Sequence, residues 1–144
     1  MKKILAPTDL SELSRTGVRY ALETASSSGG EVIVYNIVGY HEAVPYYELE
    51  DAYLPQQVPT VEEVVDEHRK RLAKFLQENF ADLMAKTKVR QEVAIGTPYD
   101  KIVEKAATEK VDLIILSTHG RTGVLHALIG SVAEKIVRLA LARF

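Results

Sequence analysis

Two short stretches of this 144-residue chain hold residue types that could do chemistry on a ligand. Pro7-Thr8-Asp9 closes an apolar run and offers a hydroxyl and a carboxylate. Ser117-Thr118-His119-Gly120-Arg121-Thr122-Gly123 closes a second apolar run, and the same loop reaches Gly130-Ser131. Glycine lets a backbone come close to a ligand and leaves its N–H groups accessible. A Gly-Ser pair at a helix start presents orphan amides at the positive end of the dipole, which suits an anion such as phosphate. Arg121 could add charge there. The same residues equally suit a plain turn before a capped helix. Neither G-x-x-x-x-G-K-[ST] nor G-x-G-x-x-G occurs, so neither of those phosphate-binding loops is present.

Those loops need strands and helices to hold them. Lys3 to Ala6 reads as a short buried strand that Pro7 cuts. Asp9 and Ser11 are alternative N-caps for the helix that follows, and Asp9 has capping-box spacing to Glu12. Val18, Ala21, Leu22 and Ala25 recur at helical spacing, and Ser26 to Gly30 ends that helix. Val32 to Val38 is a β-branched strand. Residues 39–60 carry Gly39, Pro45, Pro55 and Pro59, with Tyr40, Tyr46, Tyr47 and Tyr53 among acidic residues, and read as a long excursion. Thr60 then caps a long amphipathic helix. Its apolar stripe holds Val61, Val64, Leu72, Phe75, Phe80 and Leu83, and Asp66/Lys70 and Glu67/Arg71 are i,i+4 pairs on its wet face. Val89 to Ile95 alternates as a strand. Thr97 and Pro98 occupy N-cap and N1 of a helix whose Ile102, Val103, Ala106 and Ala107 face the core. Asp112 to Ser117 is a buried strand, and Ser131 with Glu134 opens a last capped helix. The order predicts one α/β domain over residues 1–144, a doubly wound parallel sheet with helices on both faces, Rossmann-like in plan. Such sheets bind ligands beyond the carboxyl ends of their strands, where the strand order reverses. Both candidate loops fall at strand exits.

Composition narrows the functions. There is no cysteine, which excludes disulfides and thiolate chemistry. The net charge of −2 gives no general basic footprint, so nucleic acid is not an expected partner. No apolar run approaches the roughly 18 residues of a spanning helix, and the basic-then-apolar start is cut short by Pro7, unlike a signal peptide. A cytoplasmic protein without membrane insertion is expected. His41, His68, His119 and His126 are scattered, whereas zinc needs several clustered ligands, so no metal site is expected. His68 reads as a satisfied half-buried residue. No Ser/His/Asp constellation and no catalytic base stand out, so no catalytic residue is assigned and efficient turnover is not expected.

Lys3-Ile4-Leu5-Ala6-Pro7-Thr8-Asp9-Leu10-Ser11 resembles the opening of universal stress protein domains. Gly120 and Gly130-Ser131 have that family's nine-residue glycine spacing, and Gly96-Thr97-Pro98 and Val132 to Arg138 are also similar to it. The resemblance spans nearly the whole chain. It implies ATP or another adenine nucleotide and a nucleotide-dependent regulator that forms homodimers; a divalent ion such as Mg on the phosphates is expected because a free triphosphate normally carries one. Carried over by position, Pro7, Thr8 and Asp9 line the adenosine side, and Ile37 and Leu116 touch the base. Gly120, Gly130, Ser131 and Val132 meet the phosphates, with Arg121 nearby. Ser117 stands where the G-x2-G-x9-G-[ST] pattern has its first glycine, and Asn36 where the family often has histidine. The sequence stops at Phe144, where family members usually continue into a short apolar final strand, so that strand is not expected here. The alternatives are an interaction module of the same fold without tight nucleotide binding, and a slow ATPase.

Overall fold

The runs Ile4-Leu5-Ala6 and Val32-Ile33-Val34 have no polar face, so their strands need cover on both sides. The computed structural model, which describes residues 3–40 and 59–117, provides it. Strands β1 (Lys3–Thr8), β2 (Glu31–Val38), β3 (Lys88–Ile95) and β4 (Leu113–Ile114) form one sheet in the order β3-β2-β1-β4. Every pairing is parallel. Helices α1 (Arg15–Ser28) and α2 (Val61–Lys86) cover one face, where Ile4, Ala6, Val32 and Val34 meet Val18, Leu22, Leu72, Leu76 and Phe80. Helix α3 (Pro98–Glu109) covers the other, where Leu5, Ile33 and Tyr35 meet Ile102. This is the doubly wound parallel α/β arrangement expected from the sequence.

Several boundaries differ from the sequence reading. Strand β1 runs through Pro7 to Thr8, pairing Pro7 with Tyr35 and Thr8 with Asn36. A residue in a parallel ladder points its N–H and C=O to the same neighbour. Leu5 accepts from the Ile115 N–H at 3.0 Å on the β4 side. Pro7 faces the same way, beyond the last β4 pair at Leu5 and Ile114, where no N–H is required. Strand β4 is regular only over Leu113–Ile114, although its ladder bonds begin at the Asp112 N–H, which donates to Lys3 O at 2.8 Å.

Thr60 caps α2 as expected, accepting the Glu63 N–H at 3.1 Å. Val61 lies on the exposed side, and the helical dihedrals break at Phe80 (φ −137°, ψ 25°). The break lets Phe80 pack edge-to-face on Phe75, with ring centroids 5.8 Å apart. Glu67 pairs with Arg71, but Asp66 pairs with Arg69 rather than Lys70. On α3, Ala107 is exposed instead of facing the core. His68 is half-buried, and its Nδ1 lies 2.9 Å from Val64 O. The excursion at 41–58, with His41, and the chain from 118 onward, with Gly120, Arg121, Gly130, Ser131, Val132, His119, His126 and the last helix, lie outside the described residues. Among the described residues no helix is long and apolar enough to cross a membrane, and no three potential metal ligands gather.

Candidate functional site

In the sheet order, β2 and β3 lie to one side of β1 and β4 to the other. The strand order reverses between β1 and β4, the position at which open α/β sheets take ligands. A recess of about 180 Å³ opens at the carboxyl ends of these strands. Pro7, Thr8, Asp9, Ile37, Leu116 and Ser117 all line it, so three separate strand exits bring the described candidates together. Ser14, Pro98 and Ile102 also line it, although no motif in the sequence marks them as site residues. The α3 pair carried a usable signal. Pro98 and Ile102 are four residues apart, which places them on one helix face. The recess is smaller than the roughly 300–1,000 Å³ of a whole-ligand pocket, so it suits one end of a ligand.

Its polar side is built by local turns. Asp9 Oδ1 accepts the Ser11 N–H at 2.9 Å, an Asx turn. Leu10 takes a left-handed backbone (φ 66°), which is costly for a branched side chain. Two contacts hold it there: its N–H donates to Thr8 Oγ1 at 3.0 Å, and its side chain packs on the α1–α2 core. Ser11, and not Asp9, caps the short 3-10 turn Glu12–Ser14, accepting the Ser14 N–H at 3.2 Å. Neither Asp9 nor Ser11 caps α1 itself, which begins at Arg15.

The cap of α1 comes from 100 residues further along the chain. Ser117 Oγ accepts the Gly17 N–H at 2.9 Å and lies 3.4 Å from Ser14 O. Gly17 is needed for that approach. A Cβ built on it would sit 2.8 Å from both Ser117 N and Ser117 Oγ. The side chain at the position of the first motif glycine is therefore turned toward α1.

The buried hydroxyls form a directed chain. Ser14 Oγ donates to Ser11 O at 2.7 Å, so the 2.7 Å contact between Thr8 Oγ1 and Ser14 Oγ has Thr8 as donor. Thr8 in turn accepts from Leu10. Both hydroxyl protons are thus used internally. What Thr8, Ser14 and the exposed Asp9 carboxylate can still offer a ligand is acceptor capacity. Pro7, Ile37, Pro98, Ile102 and Leu116 supply the apolar surface. The combination fits a flat apolar ring attached to a group rich in hydroxyl or amino donors.

Beside the recess, sharing Asp9 and Ile37 with it, a wider groove of about 990 Å³ runs between the β1 and β2 exits and α2. Asn36 lines it, buried, with its Nδ2 donating to Thr8 O at 3.0 Å and its Oδ1 unpartnered among the described residues. The shifted groups Glu31, Arg90 and Glu109 lie elsewhere, around the amino ends of β2 and β3, whereas Tyr35 sits further along β2, opposite Pro7. Hydrogen bonding to Arg90 holds the Glu109 carboxyl down at about 2, and the same bond holds the Arg90 guanidinium up. Lys88 holds Glu31 below its usual range. Burial pushes the Tyr35 phenol up to about 12, with Glu104 and Glu92 adding to it. Lys3, Glu31, Lys88, Arg90, Glu92, Lys105 and Glu109 form an ion-pair network over β1, β2, β3 and α3, and none of them lines the recess.

A doubly wound sheet with a recess at its switch point defines a class of small α/β domains. Residues 1–141 match the Universal stress protein family, and the chain belongs to that family. Universal stress protein MJ0577 of Methanocaldococcus jannaschii is 29% identical over 95% of this chain and 88% of its own. Its solved structure aligns with a TM-score of 0.61 at 28% identity, over 95% of this chain and 88% of that one. Universal stress protein MJ0531 of the same organism is 31% identical over 96% of this chain and 77% of its own. A universal stress protein crystallised in complex with cAMP shares the fold, with a TM-score of 0.62 at 22% identity over 95% of this chain and 90% of that chain.

Proposed function

We propose that this chain binds an adenine nucleotide, ATP or a relative of it, and acts as a nucleotide-dependent regulator in a stress response. The observation that carries the reading is the recess at the β1–β4 switch point, where Thr8, Ser14 and Asp9 offer acceptors beside an apolar slot. Adenine fills an apolar slot, and its amino group and the ribose hydroxyls are donors. A relative of the same fold has been crystallised with cAMP, which contains adenosine. In this reading Asp9 acts on the nucleoside, because a carboxylate beside a triphosphate would be repelled. The phosphates extend toward Gly120, Gly130, Ser131 and Val132, with Arg121 adding charge. A Mg ion would be held chiefly by the phosphate oxygens, as magnesium on nucleotides commonly is. The protein works as a cytoplasmic homodimer in the same reading.

Mass spectrometry of denatured, freshly purified protein should release an adenine nucleotide. Titration of nucleotide-stripped protein with adenosine, AMP and ATP should then give saturable binding of all three. Absence of both results would leave the interaction-module reading in its place. Phosphate release above a buffer control, lost in an Asp9→Ala or Gly130→Val variant, would mark a slow ATPase instead.

A further inference from the structure

Ser117 connects parts of the fold that are otherwise separate. It leaves the β4 exit, 100 residues from Gly17, and its Oγ accepts the N–H in the first turn of α1. The residue at the N-cap position of α1, Ser14, makes no side-chain cap of its own. Ser14 instead gives its hydroxyl to the Thr8 chain and its carbonyl to the longer contact with Ser117. The β1 exit, through Thr8, and the β4 exit, through Ser117, are therefore both tied to the single turn Ser14–Gly17. The recess lies between those two exits.

We propose that Ser117 is a positioning residue for the ligand, acting through Gly17. Its hydroxyl serves as a tertiary helix cap that fixes the separation of the β1 and β4 exits and so the width of the recess. This rests on the nucleotide reading above. It differs from the role that the glycine pattern implies for this position, which is contact with the phosphates. The reason is chemical. Oγ already accepts the Gly17 N–H, and a cap placed this close requires a residue without Cβ at 17. A serine at 117 and a glycine at 17 are two halves of one device.

The test uses the full chain. Ser117→Ala should weaken adenosine, AMP and ATP by one common factor, roughly three- to thirty-fold, the equivalent of one helix cap. Ser117→Thr, which keeps the hydroxyl, should restore much of it. Gly17→Ala lines no part of the recess. It should copy the Ser117→Ala loss on all three ligands, because its Cβ would push Ser117 aside. Amide hydrogen exchange should show the Gly17 N–H protected in the wild type and released in Ser117→Ala. A loss confined to AMP and ATP would make Ser117 a phosphate contact and overturn the proposal. So would a Gly17→Ala or Ser117→Ala protein that melts lower but binds as the wild type does. A wild type that binds none of the three ligands would overturn the nucleotide reading and the positioning role together. Binding by a wild type whose Gly17 amide exchanges freely would overturn the positioning role alone.

Discussion

Replacing Ser14 by alanine should show how much the hydroxyl chain under the recess contributes to the fold. Thr8 and Ser14 are both buried, and Thr8 Oγ1 donates to Ser14 Oγ at 2.7 Å. Ser14→Ala leaves the Thr8 proton without its acceptor. An orphaned buried donor costs about 1–3 kcal/mol. At about 4 °C per kcal/mol for a chain of this size, the melting temperature should fall by about 4–12 °C. Thr8→Val keeps the β-branched shape but orphans the Leu10 N–H, which needs Thr8 Oγ1 to hold its left-handed backbone. Its cost should be similar. In the double variant no Thr8 proton remains to be orphaned, so its total should exceed that of Thr8→Val alone only by the loss of the Ser14 Oγ bond to Ser11 O. The cycle should therefore give a coupling of about 1–3 kcal/mol between the two sites. Thermal and urea denaturation of the four nucleotide-free proteins measure it. Additivity to within about 0.5 kcal/mol would refute the chain as described, since unlinked sites add to that accuracy.

Three further outcomes are expected. Asp9→Ala should weaken adenosine, AMP and ATP by similar factors in calorimetric titration; a lower melting point with binding retained would reduce Asp9 to the Asx turn it makes with Ser11. Gly130→Val, proposed to block backbone approach to phosphate, should abolish ATP binding with less effect on the fold; unchanged affinity in a folded protein would refute it. Glu109 and Glu31 have carboxyls held below the usual 4.5, Glu109 at about 2, so their contribution is fully present above pH 4.5 and lost as pH falls toward 2. The melting temperature should decline across that window, and less steeply in Glu109→Gln; an identical acid slope in the variant would show that the Arg90 pair adds nothing.

The sequence alone was enough for the parallel sheet and its two-sided cover. Uninterrupted β-branched runs alternating with amphipathic helices have few other ways to bury their apolar surface. It also brought out Pro7, Thr8, Asp9, Ile37, Leu116 and Ser117, through strand exits and a family resemblance, and Thr60 as a cap, because capping is a local interaction legible at a spacing of three residues. Only the tertiary structure decided what those residues do to one another. The sequence offers Asp9 and Ser11, the neighbours of α1, as its caps, whereas the fold supplies the cap from Ser117 at the β4 exit. Ser14, Pro98 and Ile102 enter the recess because the sheet places the starts of α1 and α3 beside the β1 and β4 exits. Pro7 is tolerated inside a strand because β4 has already ended on that side. Local propensity and periodicity are written along the chain, whereas a hydrogen bond spanning 100 residues depends on where strand order sets the two ends of that bond. Order within a parallel sheet is a choice among packings that bury the same faces, and that choice is what gathered a turn, a helix start and two strand exits around one recess.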